Sequence, residues 1–272
     1  MKKILYFEIS KFTGATRVTR TLAKAAKQKY EVAFVQVGES VRENIESAIE
    51  KEQPDILFSS FIQINPEVIL AGNRHSLYVI IRNDYKLEDV AERVRLRAIE
   101  TYPLADEIIV QTEEMLQSLL SIPRIKSSNV RVIENPLDKE DIVEKAKEPN
   151  PFIDNGCFHF LWVGRKDPIK DLPTLKKAFE IVRLENPAAD LTLISDDPNP
   201  YKWMKHADCL VICSKSEASP NVLREALFLG TPVISTDCSP TVRELLRKDR
   251  IVPVGDPEKM AEAMVSIMSE RN

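Results

Sequence analysis

Glycine is scarce in this chain. Seven stand among 272 residues, at 14, 38, 72, 156, 164, 230 and 255. No two have the spacing of a dinucleotide-binding fingerprint, and none precedes a Lys-Ser or Lys-Thr pair as in a phosphate-binding P-loop. That counts against a classical NAD-dependent dehydrogenase and against a P-loop NTPase. Histidine is rarer still, with three residues, and together with four cysteines it offers no metal-ligand spacing. The cysteines, at 157, 209, 213 and 238, read as free thiols of a reducing compartment; Cys209 and Cys213 lie four apart in an apolar run and face one side of a strand. No apolar run has the length of a membrane span, and Lys2 and Lys3 lead into a short strand, not a signal peptide, so a cytoplasmic location is expected. A formal net charge of −4 gives no general argument for nucleic acid or for a basic membrane-binding surface.

What is present describes a globular protein: 43% hydrophobic and 29% charged residues, enough chain for one large domain or two small ones. Short branched runs alternate with amphipathic stretches throughout. Strands are expected at 3–9, 31–37, 55–58, 77–81, 107–110 and 130–133, with helices at 17–29, 41–52 and 87–102 between them. Residues 139–155, charged and then rich in proline and asparagine, read as a linker. The pattern resumes with strands at 158–163, 190–194, 208–213, 232–235 and 250–254, and helices from about 171, at 201–207, 241–246 and 257–269. This alternation predicts open parallel sheets with helices on both faces, in two domains, 1–150 and 151–272. Ligands of such sheets sit beyond the carboxyl ends of the strands.

One stretch concentrates the chemistry. After the strand 208–213 the chain reads Ser214-Lys-Ser-Glu-Ala-Ser-Pro-Asn-Val-Leu-Arg-Glu-Ala-Leu-Phe-Leu-Gly230, then Thr231-Pro-Val-Ile-Ser-Thr-Asp237. Ser219 is a suitable N-cap and Pro220 a suitable first helical residue. Backbone N–H groups of Asn221, Val222 and Leu223 would then lie at the positive end of a helix, a seat for phosphate. Glu217 in the loop and Glu225 in the second turn flank that seat with carboxylates able to bind sugar and ribose hydroxyls. The combination suits a sugar nucleotide.

The string S-x-x-E-x-x-P-x-x-x-x-E-A-x-x-x-G-x-P-V-I resembles the donor-site signature of GT-B-fold glycosyltransferases in the large retaining family four, also called group 1. Glu217 and Glu225 match that family's pair of glutamates. A second match is V-G-R-x-x-x-x-K, which puts Arg165 and Lys170 at the positions that grip the donor diphosphate. The resemblance runs over nearly the whole chain and is strongest from about 160 to 245. It implies the GT-B architecture, two Rossmann-like domains with parallel sheets facing across a cleft, the first on the acceptor side and the second holding the donor. By the resemblance, Glu217, Arg165 and Lys170 are catalytic. Glu225, Asn221, Val222, Leu223 and Gly14 bind the donor, and Asn83 and Asp84 are candidates for lining the cleft. No metal or cofactor is implied. The partners are a nucleotide-sugar donor and a hydroxyl acceptor: glycan, lipid or protein.

The sequence departs from the family in several places. The loop Ser10–Thr16 keeps only Gly14 of a glycine-rich segment, so a plain turn glycine is the competing reading. The histidine that usually precedes the cleft aspartate is missing, and His75 reads as a surface residue. The loop 195–200 lacks the usual glycine and leaves the nucleotide base open. Arg93, Arg95 and Arg97 could make a weak peripheral membrane contact, although the glutamates at 88, 92 and 100 favour a solvated face. Two function classes follow: a retaining glycosyltransferase, or a catalytically reduced sugar-nucleotide-binding or interaction module on the same fold.

Overall fold

The computed structural model describes residues 1–9, 14–84, 87, 90–153, 156–195 and 197–270. The chain divides into two compact units, Met1–Pro136 and Leu137–Asn272. Each is a parallel sheet with helical crossovers.

The first unit holds six strands: β1 (Lys3–Ile9), β2 (Glu31–Val37), β3 (Ile56–Ser59), β4 (Tyr78–Arg82), β5 (Glu107–Val110) and β6 (Val130–Val132), in the order β2-β1-β3-β4-β5-β6. Between them come α1 (Gly14–Ala26), α2 (Val41–Glu52), α3 (Asn65–His75), α4 (Glu92–Thr101) and α5 (Glu113–Leu120). β1 is paired on both edges, and its five central residues are all buried. This is why the run Ile4-Leu-Tyr-Phe is continuously apolar and does not alternate. Ile4, Tyr6, Phe58 and Ile109 make one core with Ala23 of α1.

The second unit holds β7 (Phe158–Val163), β8 (Ala189–Ile194), β9 (Cys209–Ile212), β10 (Val233–Thr236) and β11 (Ile251–Val252), in the order β11-β10-β9-β7-β8. Its helices are α6 (Lys139–Lys145), α7 (Leu172–Glu185), α8 (Tyr201–His206), α9 (Asn221–Phe228), α10 (Pro240–Leu245) and α11 (Pro257–Ser269). Alternation along the strands sorts the core into two halves. Phe158, Phe160, Trp162, Cys209, Val211 and Cys213 face α7 and α11, through Leu175, Ala178, Val182, Met260 and Met264. Leu161, Leu210 and Ile212 face α8 and α9, through Tyr201, Met204, Leu223 and Ala226. Cys209 and Cys213 therefore share one buried side, as their spacing predicts. Among the described residues no helix is long and apolar enough to cross a membrane.

Several elements differ from their expected form. The linker expected at 139–155 opens as a helix: Asp138 caps α6 by accepting from Asp141 N, and Ile142 packs into the core of the second unit with Phe152 behind it. Seven residues with one fully buried side chain are too few to show a helical period. Helices α3 and α5 have no counterpart among the elements expected from sequence. α5 begins at a Thr112 cap followed by Glu113 and Glu114, favourable charges for a helix start. α1 begins and ends three residues earlier than expected, at Gly14 and not Arg17.

Gly72 lies inside α3 because the helix sits close to the sheet there. A Cβ at this position would run into Val79 Cγ2 on β4 and meet Leu57 Cδ1 at 3.4 Å. Gly72→Ala should cost about 1–3 kcal/mol by overpacking, although alanine is the better helix former. Urea unfolding read by far-UV circular dichroism will show the change as a lowered midpoint with an unchanged slope.

Candidate functional site

The sheet order of the second unit brings two loops together. β7 pairs with β8 on one edge and with β9 on the other, so the chain leaving β7 and the chain leaving β9 diverge from neighbouring strand ends. This is a topological switch point, where open parallel sheets bind ligands. The β7 loop carries Gly164, Arg165 and Lys170; the β9 loop carries Ser214 and Glu217.

The β7 loop is built by short-range bonds. Gly164 N donates to Ile194 O at 3.0 Å, continuing the ladder beyond β7. Asp167 then opens a single 3-10 turn, Pro168–Lys170, with its carboxylate accepting from Ile169 N at 3.1 Å. Asp171 follows with φ +46°, in the left-handed region that asparagine and aspartate tolerate best among residues bearing a Cβ. Its carboxylate accepts from Thr174 Oγ1 at 2.8 Å, which steadies the first turn of α7. The turn thus sends the Arg165 side chain to solvent and leaves Lys170 mostly covered. Among the described residues no carboxylate pairs with Arg165.

The β9 loop is fastened to this turn and to β10. Lys215 N donates to Ile169 O at 2.7 Å, Cys213 Sγ to Lys170 O at 2.9 Å, and Glu217 N to Cys238 O at 2.9 Å. Ser214 O accepts from Thr236 Oγ1 at 2.6 Å. Within this frame Lys170 Nζ pairs with Glu217 Oε1, and Ser214 Oγ donates to the same oxygen at 2.7 Å. The two side chains are 19% and 16% exposed, so the pair is largely withdrawn from water. Two residues chosen from sequence for the same chemistry, 47 positions apart, are in direct contact.

The start of α9 corrects one expectation. Ser219 is not the cap: Pro220, extended at φ −68° and ψ 112°, holds that position, and Asn221 is the first helical residue. Ser219 is buried and accepts from Thr241 Oγ1 at 3.3 Å. Leu223 N already donates to Pro220 O at 3.2 Å, so this N–H is committed within the turn, and Asn221 and Val222 stand ahead of it. Glu225 projects inward at 4% exposure, with Tyr201 OH donating to its Oε1 at 3.3 Å. Tyr201 is itself placed by Asn199: Tyr201 N donates to Asn199 Oδ1 at 3.1 Å, and Asn199 Nδ2 donates to Lys145 O at 2.9 Å. Trp203 Nε1 donates to Asp197 Oδ2 at 2.8 Å, fixing the loop that lacks the family's glycine.

In the first unit Gly14 is the first residue of α1; the preceding loop positions 10–13 lie outside the described residues. Asn83 and Asp84 follow β4 at its carboxyl end, the edge expected to bind ligands. Asn83 is 1% exposed and bonded on both sides, its N to Ile109 O at 2.9 Å and its Oδ1 accepting from Tyr102 OH at 3.1 Å. This makes it part of the framework and not an open ligand contact. Asp84 pairs with the fully buried Arg82, which also donates to Asn135. Burial pushes the Asp84 carboxyl above the usual carboxylate range, and Arg82 opposes that shift. Arg82, Tyr102 and Tyr201 lie outside the sequence motifs; their contacts with Asn135, Asn83 and Glu225 are long-range, and no local spacing announces them, whereas Ser214 opens the S-x-x-E string, in which sequence assigns a role to Glu217 alone.

Solved structures of similar shape accompany this geometry. Anabaena HepE, in complex with UDP and glucose, superimposes with a TM-score of 0.77 at 14% identity, over 100% of this chain and 91% of its own. Sucrose-phosphate synthase from Thermosynechococcus elongatus gives 0.76 at 14% identity, over 99% and 90%. The two parallel-sheet α/β units are those of the GT-B fold of glycosyltransferases. Residues 158–270, within this second unit, match the family model described as Glycosyl transferases group 1. An uncharacterized glycosyltransferase of Methanocaldococcus jannaschii is 30% identical over 176 residues, 53% of this chain and 43% of its own length. A Campylobacter jejuni N-acetylgalactosamine-N,N'-diacetylbacillosaminyl-diphospho-undecaprenol 4-alpha-N-acetylgalactosaminyltransferase is 25% identical over 194 residues, 62% of this chain and 52% of its own. The matched regions span about half the length of these curated relatives.

The thiols beneath the site give a direct check on its packing. Burial pushes Cys213 up to about 12, with Asp171 adding to the shift; burial pushes Cys238 up to about 11, with Glu217 adding. Cys209 is fully buried, and Cys157 alone is partly exposed. A chromogenic disulfide reagent at about pH 8 should therefore titrate Cys157 first. The other three should react only after denaturant is added. Fast reaction of Cys213 or Cys238 in the native protein would contradict the closed floor of the site.

Proposed function

We propose that this chain is a retaining glycosyltransferase that moves a sugar from a nucleoside-diphosphate sugar to a hydroxyl acceptor. The observation that carries the reading is the Lys170–Glu217 contact at the switch point of the second sheet, with Arg165 on the same loop. A cation and a carboxylate side by side suit a diphosphate and its attached sugar. Arg165 and Lys170 would hold the diphosphate, and Asn221 and Val222 would add backbone N–H groups at the start of α9. Glu217 would accept from sugar hydroxyls and Glu225 from the ribose.

In the step we infer, the acceptor oxygen attacks the anomeric carbon from the face the diphosphate leaves. The new C–O bond forms as the old one breaks, and the hydroxyl proton passes to a phosphate oxygen of the leaving group. Negative charge grows on the diphosphate. Fixed cations aimed at it stabilise that charge more than they stabilise the bound donor, which is the condition for catalysis. No side chain need act as nucleophile.

The structures of Anabaena HepE with UDP-glucose and of the Escherichia coli trehalose-6-phosphate protein with UDP-2-fluoro glucose support a uridine donor as the first to test. The name of the Campylobacter relative, which acts on a diphospho-undecaprenol glycan, supports a lipid-linked acceptor on the first unit. A cytoplasmic site of action with weak membrane contact through α4 accords with such an acceptor. A second reading is a sugar-nucleotide-binding module without turnover. The retention of Gly14 alone in the first loop favours it.

Thermal stabilisation against UDP, GDP and ADP sugars tests donor binding without knowledge of the acceptor. We expect a shift with UDP sugars, reduced in Glu217→Ala. With an acceptor in hand, Lys170→Ala and Glu217→Ala should each lower transfer by roughly 100-fold or more while the fold survives. Near-wild-type transfer in either variant removes that residue from the mechanism. Donor binding without turnover on any acceptor supports the second reading.

A further inference from the structure

We propose that Ser214 is a positioning residue for the donor sugar, holding Glu217 in place once Lys170 has turned to the diphosphate. The proposal rests on the donor-site reading above. It begins from the use of a single oxygen. Among the described residues both partners of the Glu217 carboxylate, Ser214 Oγ and Lys170 Nζ, fall on Oε1. That arrangement leaves Oε2 to meet a ligand hydroxyl.

The two partners differ in kind. Lys170 is a flexible four-carbon stem ending in a cation, and a diphosphate with two or more negative charges competes strongly for it. Ser214 has no such freedom. It is 2% exposed, its carbonyl is held by Thr236 Oγ1 at 2.6 Å, and the next residue is tied to Ile169 O at 2.7 Å. Glu217 N is tied in turn to Cys238 O at 2.9 Å. Ser214 and the backbone of the glutamate are thus both fixed to the end of β10 and the residues just after it. When Lys170 leaves Oε1, a charge-assisted hydrogen bond from Ser214 remains to keep the carboxylate from swinging into solvent. Ser214 touches no substrate in this scheme; it acts through Glu217.

Calorimetric titration separates this role from a structural one. The probes are UDP and UDP-glucose, or the corresponding GDP or ADP pair if the thermal panel selects it. The quantity of interest is the ratio of the two affinities, which isolates what the sugar contributes. In Ser214→Ala the nucleoside diphosphate should bind as in wild type, and the affinity for the nucleotide sugar should fall about tenfold relative to it, the worth of one hydrogen bond to a charged group. Ser214→Cys, nearly isosteric with a weak donor, should behave alike and covers the case in which alanine perturbs folding. In a Glu217→Ala background the serine change should add nothing, since the group it positions is gone.

An unchanged ratio in both serine variants overturns the proposal. So does equal weakening of both ligands, which marks general damage, or a further loss in the Glu217→Ala background. Wild-type protein that binds no nucleotide and no nucleotide sugar is a different failure: it sinks the donor-site reading and this proposal with it.

Discussion

The site depends on one constraint, the order β11-β10-β9-β7-β8. Parallel strands need long crossovers, and right-handed crossovers send every connecting loop from a carboxyl end over the sheet. Because β8 returns past β7 to β9, the loops after β7 and β9 leave adjacent strands in opposite directions. Arg165 and Lys170 lie on one, Ser214 and Glu217 on the other. A different order would leave the same motifs intact in the chain and separate them in space.

Within that frame the Lys170–Glu217 contact satisfies two ionisable groups that are mostly withdrawn from water. Each would cost several kcal/mol if left buried alone, so the two stay paired. On the proposed function, a bound diphosphate and sugar would offer each group a new partner of suitable charge and hydrogen-bonding capacity. Exchange of partners would then replace creation of new buried charge.

The first unit spends its polar residues differently. At the carboxyl edge of its sheet, Ser59 donates to Asn65 at 2.6 Å, Asn65 to Tyr102 OH at 3.3 Å, and Tyr102 to Asn83 at 3.1 Å, with Arg82 joining Asp84 and Asn135 nearby. Buried polar groups left without partners are costly, and satisfied networks of this kind rigidify what they connect. The network explains why Asn83, which matches a cleft position by alignment of motifs, is enclosed. It also explains why an arginine can be fully buried beside it.

By itself the sequence determined the alternation of strands and helices, most strand bounds to within a residue or two, and the two motifs of the second unit. Those signals are local: apolar runs, caps, and fixed spacings within one strand–loop–helix. Helices α3, α5 and α6 escaped because they are short or interrupted by glycine, and their stability comes from what they pack against. The cap of α9 was misplaced by one residue, since serine and proline both suit a helix start and the backbone alone chooses. Only the tertiary structure decided that Lys170 meets Glu217, that Ser214 and Tyr201 hold the two glutamates, and that Asn83 is closed off. Each of these contacts joins residues brought together by strand order or by the folding of a loop, and hydrogen bonds across a fold leave no period in the chain that makes them.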